Sequence, residues 1–288
     1  MIKELIAPYI TENVLNPANL FIIVIAIFWM IVASILDFKK REVENWWNFS
    51  LIIFILAFKA FLSIQTLRWN YIILAFIGLL IGFGLCNLFY YGRMFAGGDA
   101  KLLMALGVVL VMSPDWKLNL VIFSLFIVLL LFSGSVYGLG YCLIISIKNF
   151  NSLKKEFTQQ IRKNRSAVYG FSLLGFILSI IFLVVGFYTG FALSLVLMIS
   201  PVLLIYARAV ENSCMQKFVD TKRLTIGDWL VKPLIVRGKS IKPNWEGLSE
   251  KQLKIIQKDY RKKVLIKYGI PFMPAFLIAF LLLLWLLA

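Results

Sequence analysis

The chain has 288 residues, of which 61% are hydrophobic and only 15% charged. A soluble domain of this size closes its core with far less apolar material, so that class is excluded. The net charge of +16 reads as a membrane-topology signal with attraction to anionic headgroups. A lipid bilayer is therefore expected as a partner, and nucleic acid is not.

The apolar residues fall in blocks of roughly 17–25, the length of a helix that crosses a bilayer. No run of short alternating segments suggests a barrel. The expected fold class is all-α, a polytopic transmembrane helix bundle of about eight spans with a small cytoplasmic segment. The first nineteen residues hold Lys3, Glu4 and Glu12 without a basic leader and cleavage site, so the first apolar run reads as a retained span. In chain order the spans are placed near 20–36, 49–66, 71–91, 100–112, 119–147, 168–187, 189–207 and 270–287. The fourth is short for a crossing, the fifth is long enough to tilt, and only "YTG" at 188–190 divides the sixth from the seventh. Four sections follow. Residues 1–147 are expected to form a membrane core, the candidate catalytic part because it carries Asp37 and Asp99, 148–207 a basic cytoplasmic loop with two more spans, 208–268 a cytoplasmic segment, and 269–288 the last helix. Ser249, followed by Glu250 and Leu253, starts a short amphipathic helix in the third of these.

With this placement, 26 of the 30 basic residues lie in connections on one side of the membrane. The positive-inside rule makes that side cytoplasmic and puts both termini outside. Lys59 lies within span two near its outer end and is expected to snorkel. Gly78 and Gly82 form a helix-packing face in span three, and Gly134, Gly138 and Gly140 another in span five. Trp46, Trp47 and Trp69 fit an interfacial belt. In the last span Pro271 suits a first turn, while Pro274 is expected to bend the helix.

The chain has no histidine, and Cys86, Cys142 and Cys214 are far apart. A zinc site, a Ser-His triad or a Cys-His dyad is hard to build from these. Acid–base chemistry must rest on Asp, Glu, Lys or Tyr, and no metal or other cofactor is expected. Two acidic residues abut spans at the cytoplasmic end: Asp37, closing span one, and Asp99, opening span four in "FAGGDAKLLMALG". Two carboxyl groups at one depth, from different helices, can share a proton and form a dyad. One takes a proton from water while the other hydrogen-bonds to the scissile carbonyl. Gly97 and Gly98 allow close approach and positive φ before Asp99. Lys101, two residues beyond, is placed to act on the Asp99 charge. The plainer alternative is that Asp99 caps span four and Asp37 begins a polar loop.

"GGDAKLL" resembles the G-x-G-D motif of the type IV prepilin and archaeal preflagellin peptidases, which are intramembrane aspartyl proteases. "DFKKREVENWWN" is similar to their first motif, an aspartate followed four residues later by Arg, an aliphatic residue and Pro-Asn. The likeness covers about the first 110 residues, and "GDWLV", "GLSEKQ" and "IKYGIPFMPAF" resemble the C-terminal region of archaeal members. It implies catalytic roles for Asp37 and Asp99, with Arg41, Asn45, Gly97 and Gly98 as supporting motif positions. It also implies prepilin-like or preflagellin precursors as partners, cut after a short basic leader at the cytoplasmic face, with Glu42 and Glu44 able to attract that leader. Two positions depart from the family: Ala96 stands at the first glycine of G-x-G-D, and Glu44 at the proline of the first motif, which puts the shape of that loop in question. The zinc-binding cysteine module of many bacterial members is absent, which points to the archaeal, protease-only type. The rival readings are a protease of the presenilin or signal-peptide-peptidase type, and a transporter using Asp37, Asp99 and Lys59 as a relay.

Overall fold

The computed structural model describes Val14 and residues 16–288, so the expectation for the first residues lies outside the described part. The fold is helical, with a helix at each of the eight expected places. Among the described residues, six helices are long and apolar enough to cross a membrane: α1 (Pro17–Lys40), α2 (Asn45–Thr66), α3 (Asn70–Tyr91), α5 (Trp116–Lys148), α7 (Arg165–Val185) and α8 (Tyr188–Cys214). The apolar helices α4 (Gly97–Val109) and α10 (Met273–Leu287) have 13 and 15 residues. At 1.5 Å per residue they reach only about 20 Å, against a hydrocarbon core of about 30 Å. The chain forms two compact units, one of residues up to Leu139 with 270–288, the other of residues 140–269.

In the first unit, α4 is the central element. Every residue of it from Leu102 to Val109 is buried, among α1, α2 and α3. The contact with α3 is made by glycine on both sides. A methyl group added at Gly107 would lie 2.5 Å from the Gly78 carbonyl oxygen, and one at Gly82 would lie 2.8 Å from that of Met104. The expected packing face on span three is therefore found, with Gly107 as its partner. In span five, Gly134 faces the Phe272 ring, while nothing lies near Gly138 or Gly140. The outward faces of the helices carry apolar side chains such as Ile53, Ile64 and Leu80, as a lipid-facing surface requires.

Because α4 stops short, the chain after it is irregular and still buried. Irregular backbone at membrane depth needs partners from the protein itself, and polar side chains supply them. Lys59 Nζ donates to the Val111 carbonyl and Asn19 Nδ2 to that of Met112. The Asn119 carboxamide accepts from the amides of Met112 and Ser113 at 3.1 and 3.0 Å and donates to the Ser113 carbonyl at 2.8 Å. Lys59 is 3% exposed, so it does not snorkel. The partly negative end of α4 holds it inside the bundle instead. Pro274 likewise does not bend α10. The helix begins at Met273, three residues later than expected, which puts Pro274 in the first turn, where its missing N–H is no loss.

The second unit continues α5 from Gly140 and adds α6 (Phe150–Lys163), where a loop was expected. Its Leu153 is buried, while Lys154, Lys155 and Arg162 are exposed. The helices α7 and α8 form a tight pair. Gly186 between them takes φ +76, and the Ser172 hydroxyl donates to the Met198 carbonyl at 3.0 Å. The break expected at "YTG" comes just before it, at Gly186 and Phe187, and Tyr188–Gly190 open α8.

Residues 216–267 of this unit fold into a small mixed element that the all-α expectation lacked. Strands β1 (Gln216–Val219), β2 (Trp229–Leu230) and β5 (Val264–Lys267) form an antiparallel sheet in the order β1-β5-β2, and β3 (Leu234–Val236) and β4 (Lys239–Ile241) form a hairpin. Leu224, Val236, Leu248, Ile256, Val264 and Ile266 make its core. The helix expected from Ser249 is α9 (Glu250–Asp259), held by a capping box between Ser249 and Gln252.

Replacing Lys59 by Met is expected to leave the Val111 carbonyl buried and unpaired. The unfolding free energy of the detergent-solubilised protein should fall by about 1–3 kcal/mol, measured by thermal or denaturant unfolding. An unchanged stability would show that the bond to Val111 contributes nothing.

Candidate active site

Asp37 is in the last turn of α1. The residue after that helix, Arg41, adopts φ 59 and returns its N–H to the Asp37 carbonyl at 2.9 Å, closing the helix. The Asp37 side chain is 7% exposed. It accepts a hydrogen bond of 3.0 Å from the Met273 amide at the start of α10, and the Phe272 amide also reaches it. A helix N-terminus has amide groups without intrahelical partners, and here a carboxylate from a helix more than two hundred residues earlier meets them. Arg41 interacts with the same carboxylate electrostatically.

Asp99 is the third residue of α4 and is 9% exposed. It is not the cap of the helix, because that position belongs to Ala96. Asp99 instead reaches back to the Ala96 amide, as an acidic residue at the third position of a helix often does. The two carboxyl groups lie close enough to interact electrostatically. The structure thus brings together the two aspartates that the sequence separates by 62 positions.

The supporting residues gather around this pair. Lys101 Nζ donates to Asn45 Oδ1 at 2.6 Å, which links the first turn of α2 to the N-terminal part of α4. Neither Gly97 nor Gly98 has a positive φ. Both lie within α4, so the expectation of a left-handed turn before Asp99 is corrected. A methyl group at Gly98 would meet Met273 Cε at 3.6 Å and the Val43 backbone at 3.9 Å, and one at Gly97 would meet the Tyr90 ring at 3.7 Å. These are ordinary contacts, so close approach does not demand glycine at either place.

The two departures from the family pattern are accommodated. Ala96 has φ −68 and ψ 162, a conformation open to any L-residue. Glu44 has φ −61, the value that proline would impose, so the loop shape survives the exchange. The Glu44 side chain bonds to Lys40 Nζ at 2.9 Å and to the Trp46 indole N–H. The Lys40 hydrogen bond, followed by that from Trp46, holds the Glu44 carboxyl below the usual carboxylate range. Glu42 is exposed.

Two contributors were not legible in the sequence. One is the start of α10, since nothing in "PFMPAF" marks an amide that bonds to Asp37. The other is Asn48, fully buried, whose Nδ2 donates to the Gly98 carbonyl at 3.2 Å. Its spacing of three from Asn45 was the available signal.

Residues 24–148, which include both aspartates, match the model of the type IV leader peptidase family. A curated preflagellin peptidase from Methanocaldococcus jannaschii is 36% identical over 78 residues. That match covers 27% of this chain and 33% of the relative, so the chain spans about a third of the relative's length. No solved structure matches the chain.

Replacing Asp37 by Leu should release the amides of Phe272 and Met273. Their hydrogen exchange, followed by mass spectrometry, is expected to speed up about tenfold or more, the worth of one charge-assisted bond. The Asp99→Leu variant should leave exchange at these amides as it is.

Proposed function

We propose that this protein is an intramembrane aspartyl endopeptidase that removes the leader from prepilin-like or preflagellin precursors. The observation that carries the reading is the meeting of Asp37 and Asp99, both buried and electrostatically coupled, inside the segment that matches the leader peptidase family.

Two neighbouring carboxyl groups favour holding one proton between them, because two like charges at close range repel. In the proposed reaction the ionised member takes a proton from a water molecule. The water oxygen attacks the scissile carbonyl while the protonated member donates to the carbonyl oxygen. Collapse of the tetrahedral intermediate expels the amine, which leaves with a proton from the dyad. The amides of Phe272 and Met273 keep Asp37 in place, and that of Ala96 does the same for Asp99.

The substrate class follows from the family segment and from the preflagellin peptidase it resembles. The positive-inside rule, applied to the basic connections, supports a cytoplasmic position for the dyad, where a leader preceding a hydrophobic helix would present its cut site. Glu44 is bonded to Lys40 and Trp46, which leaves Glu42 as the better candidate to meet a basic leader. A relay through Asp37, Asp99 and Lys59 is disfavoured, because Lys59 bonds to Val111 at the far end of α4 from Asp99.

The test is leader removal from pilin-like and flagellin-like precursors by membranes containing the protein. The Asp37→Asn and Asp99→Asn variants should each lose activity by about a hundredfold or more. A variant of either that cuts at the normal rate would remove the dyad.

A further inference from the structure

The first turn of α2 presents two carboxamides three positions apart, Asn45 and Asn48, on one helical face. Both meet the N-terminal part of α4. Asn45 Oδ1 accepts from Lys101 Nζ, and Asn48 Nδ2 donates to the Gly98 carbonyl. The two bonds differ in setting. Asn48 is 0% exposed, and its Oδ1 has no hydrogen-bond partner. A buried acceptor left unpaired costs about 1–3 kcal/mol. An apolar side chain of similar size would avoid that cost, so stability alone does not account for an asparagine at this position. Local inconsistencies of this kind concentrate at functional sites.

The acceptor chosen by Asn48 gives the reason. The Gly98 carbonyl belongs to the same peptide plane as the Asp99 amide. Fixing that plane fixes the bond from which the Asp99 Cα and side chain depart. A methyl group at Gly98 would lie 3.6 Å from Cε of Met273, the residue whose amide holds Asp37. We propose that Asn48 is a positioning residue for Asp99, locking the Gly98–Asp99 peptide so that the two carboxyl groups meet in register. The role acts through Asp99 and rests on the peptidase reading above.

The test uses the purified full-length protein, precursor cleavage and hydrogen exchange. Asn48→Leu removes the donor and keeps the bulk. Its kcat should fall by about tenfold or more, with KM within about twofold of the wild type and unfolding temperature equal or higher. An unchanged kcat, or a change confined to KM, overturns the proposal. Asn48→Asp supplies a second readout. Only the protonated form of the introduced carboxyl can donate to the Gly98 oxygen, so the ratio of variant to wild-type kcat should rise as the pH is lowered. A flat ratio overturns the proposal even if Asn48→Leu fails to fold. If the wild-type protein cuts none of the precursors, the peptidase reading fails and exchange decides the rest. Faster exchange at the Asp99–Leu103 amides in Asn48→Leu supports the positioning role, and unchanged exchange removes it.

Discussion

A backbone that leaves its helix inside a bilayer must find every hydrogen bond within the protein, and the first unit is arranged around one place where this happens. Helix α4 ends at Val109, too short to reach the other side. The carbonyls of Val111, Met112 and Ser113 would be orphans there. Lys59 from α2, Asn19 from α1 and Asn119 from α5 each take one of them. Three neighbouring helices are thereby tied to the same end of α4, which accounts for three of the polar side chains buried in this unit.

The opposite end of α4, which carries the proposed site, is held in a different way. The glycine contact between α3 and α4 sets their distance with backbone against backbone. Packing of that kind resists sliding, because a shift of one residue brings a side chain into the seam. With α4 fixed along its length, the position of Asp99 depends on the N-terminal part alone. That part is gripped by Asn45 through Lys101 and by Asn48 through Gly98.

The parts of this arrangement that were legible in the sequence are those that local pattern encodes. Hydrophobic runs marked these eight helices because a side chain facing lipid and one facing the bundle interior must both be apolar. The aspartates stood out because charge is scarce beside an apolar run. The helix start at Ser249 is encoded locally and was read correctly. Lys59 was misread because snorkelling and capping another helix look alike in one dimension, and only the neighbour decides between them. Pro274 was misread because the helix start was placed three residues early. The strands of 216–267 were missed because runs of two to four residues carry too little alternation to register, and α6 because its charges suggested a loop. Asn48 and the Met273 amide act across more than fifty positions, so no window of sequence contains either contact.

The convergence of helix ends also explains why the last helix belongs with the first. An anion at the C-terminal end of a helix sits against the partial negative charge of the helix dipole, and Asp37 is in that position on α1. The N-terminal end of α10 offers the opposite polarity and two amides without intrahelical partners, and both reach Asp37, that of Met273 at 3.0 Å. Asp99 needs no such help, because it already lies at the N-terminal end of α4. Two carboxyl groups on helices of opposite polarity therefore come to similar surroundings by different routes. The final fifteen-residue helix, outside the segment that matches the peptidase family, supplies what the first motif lacks.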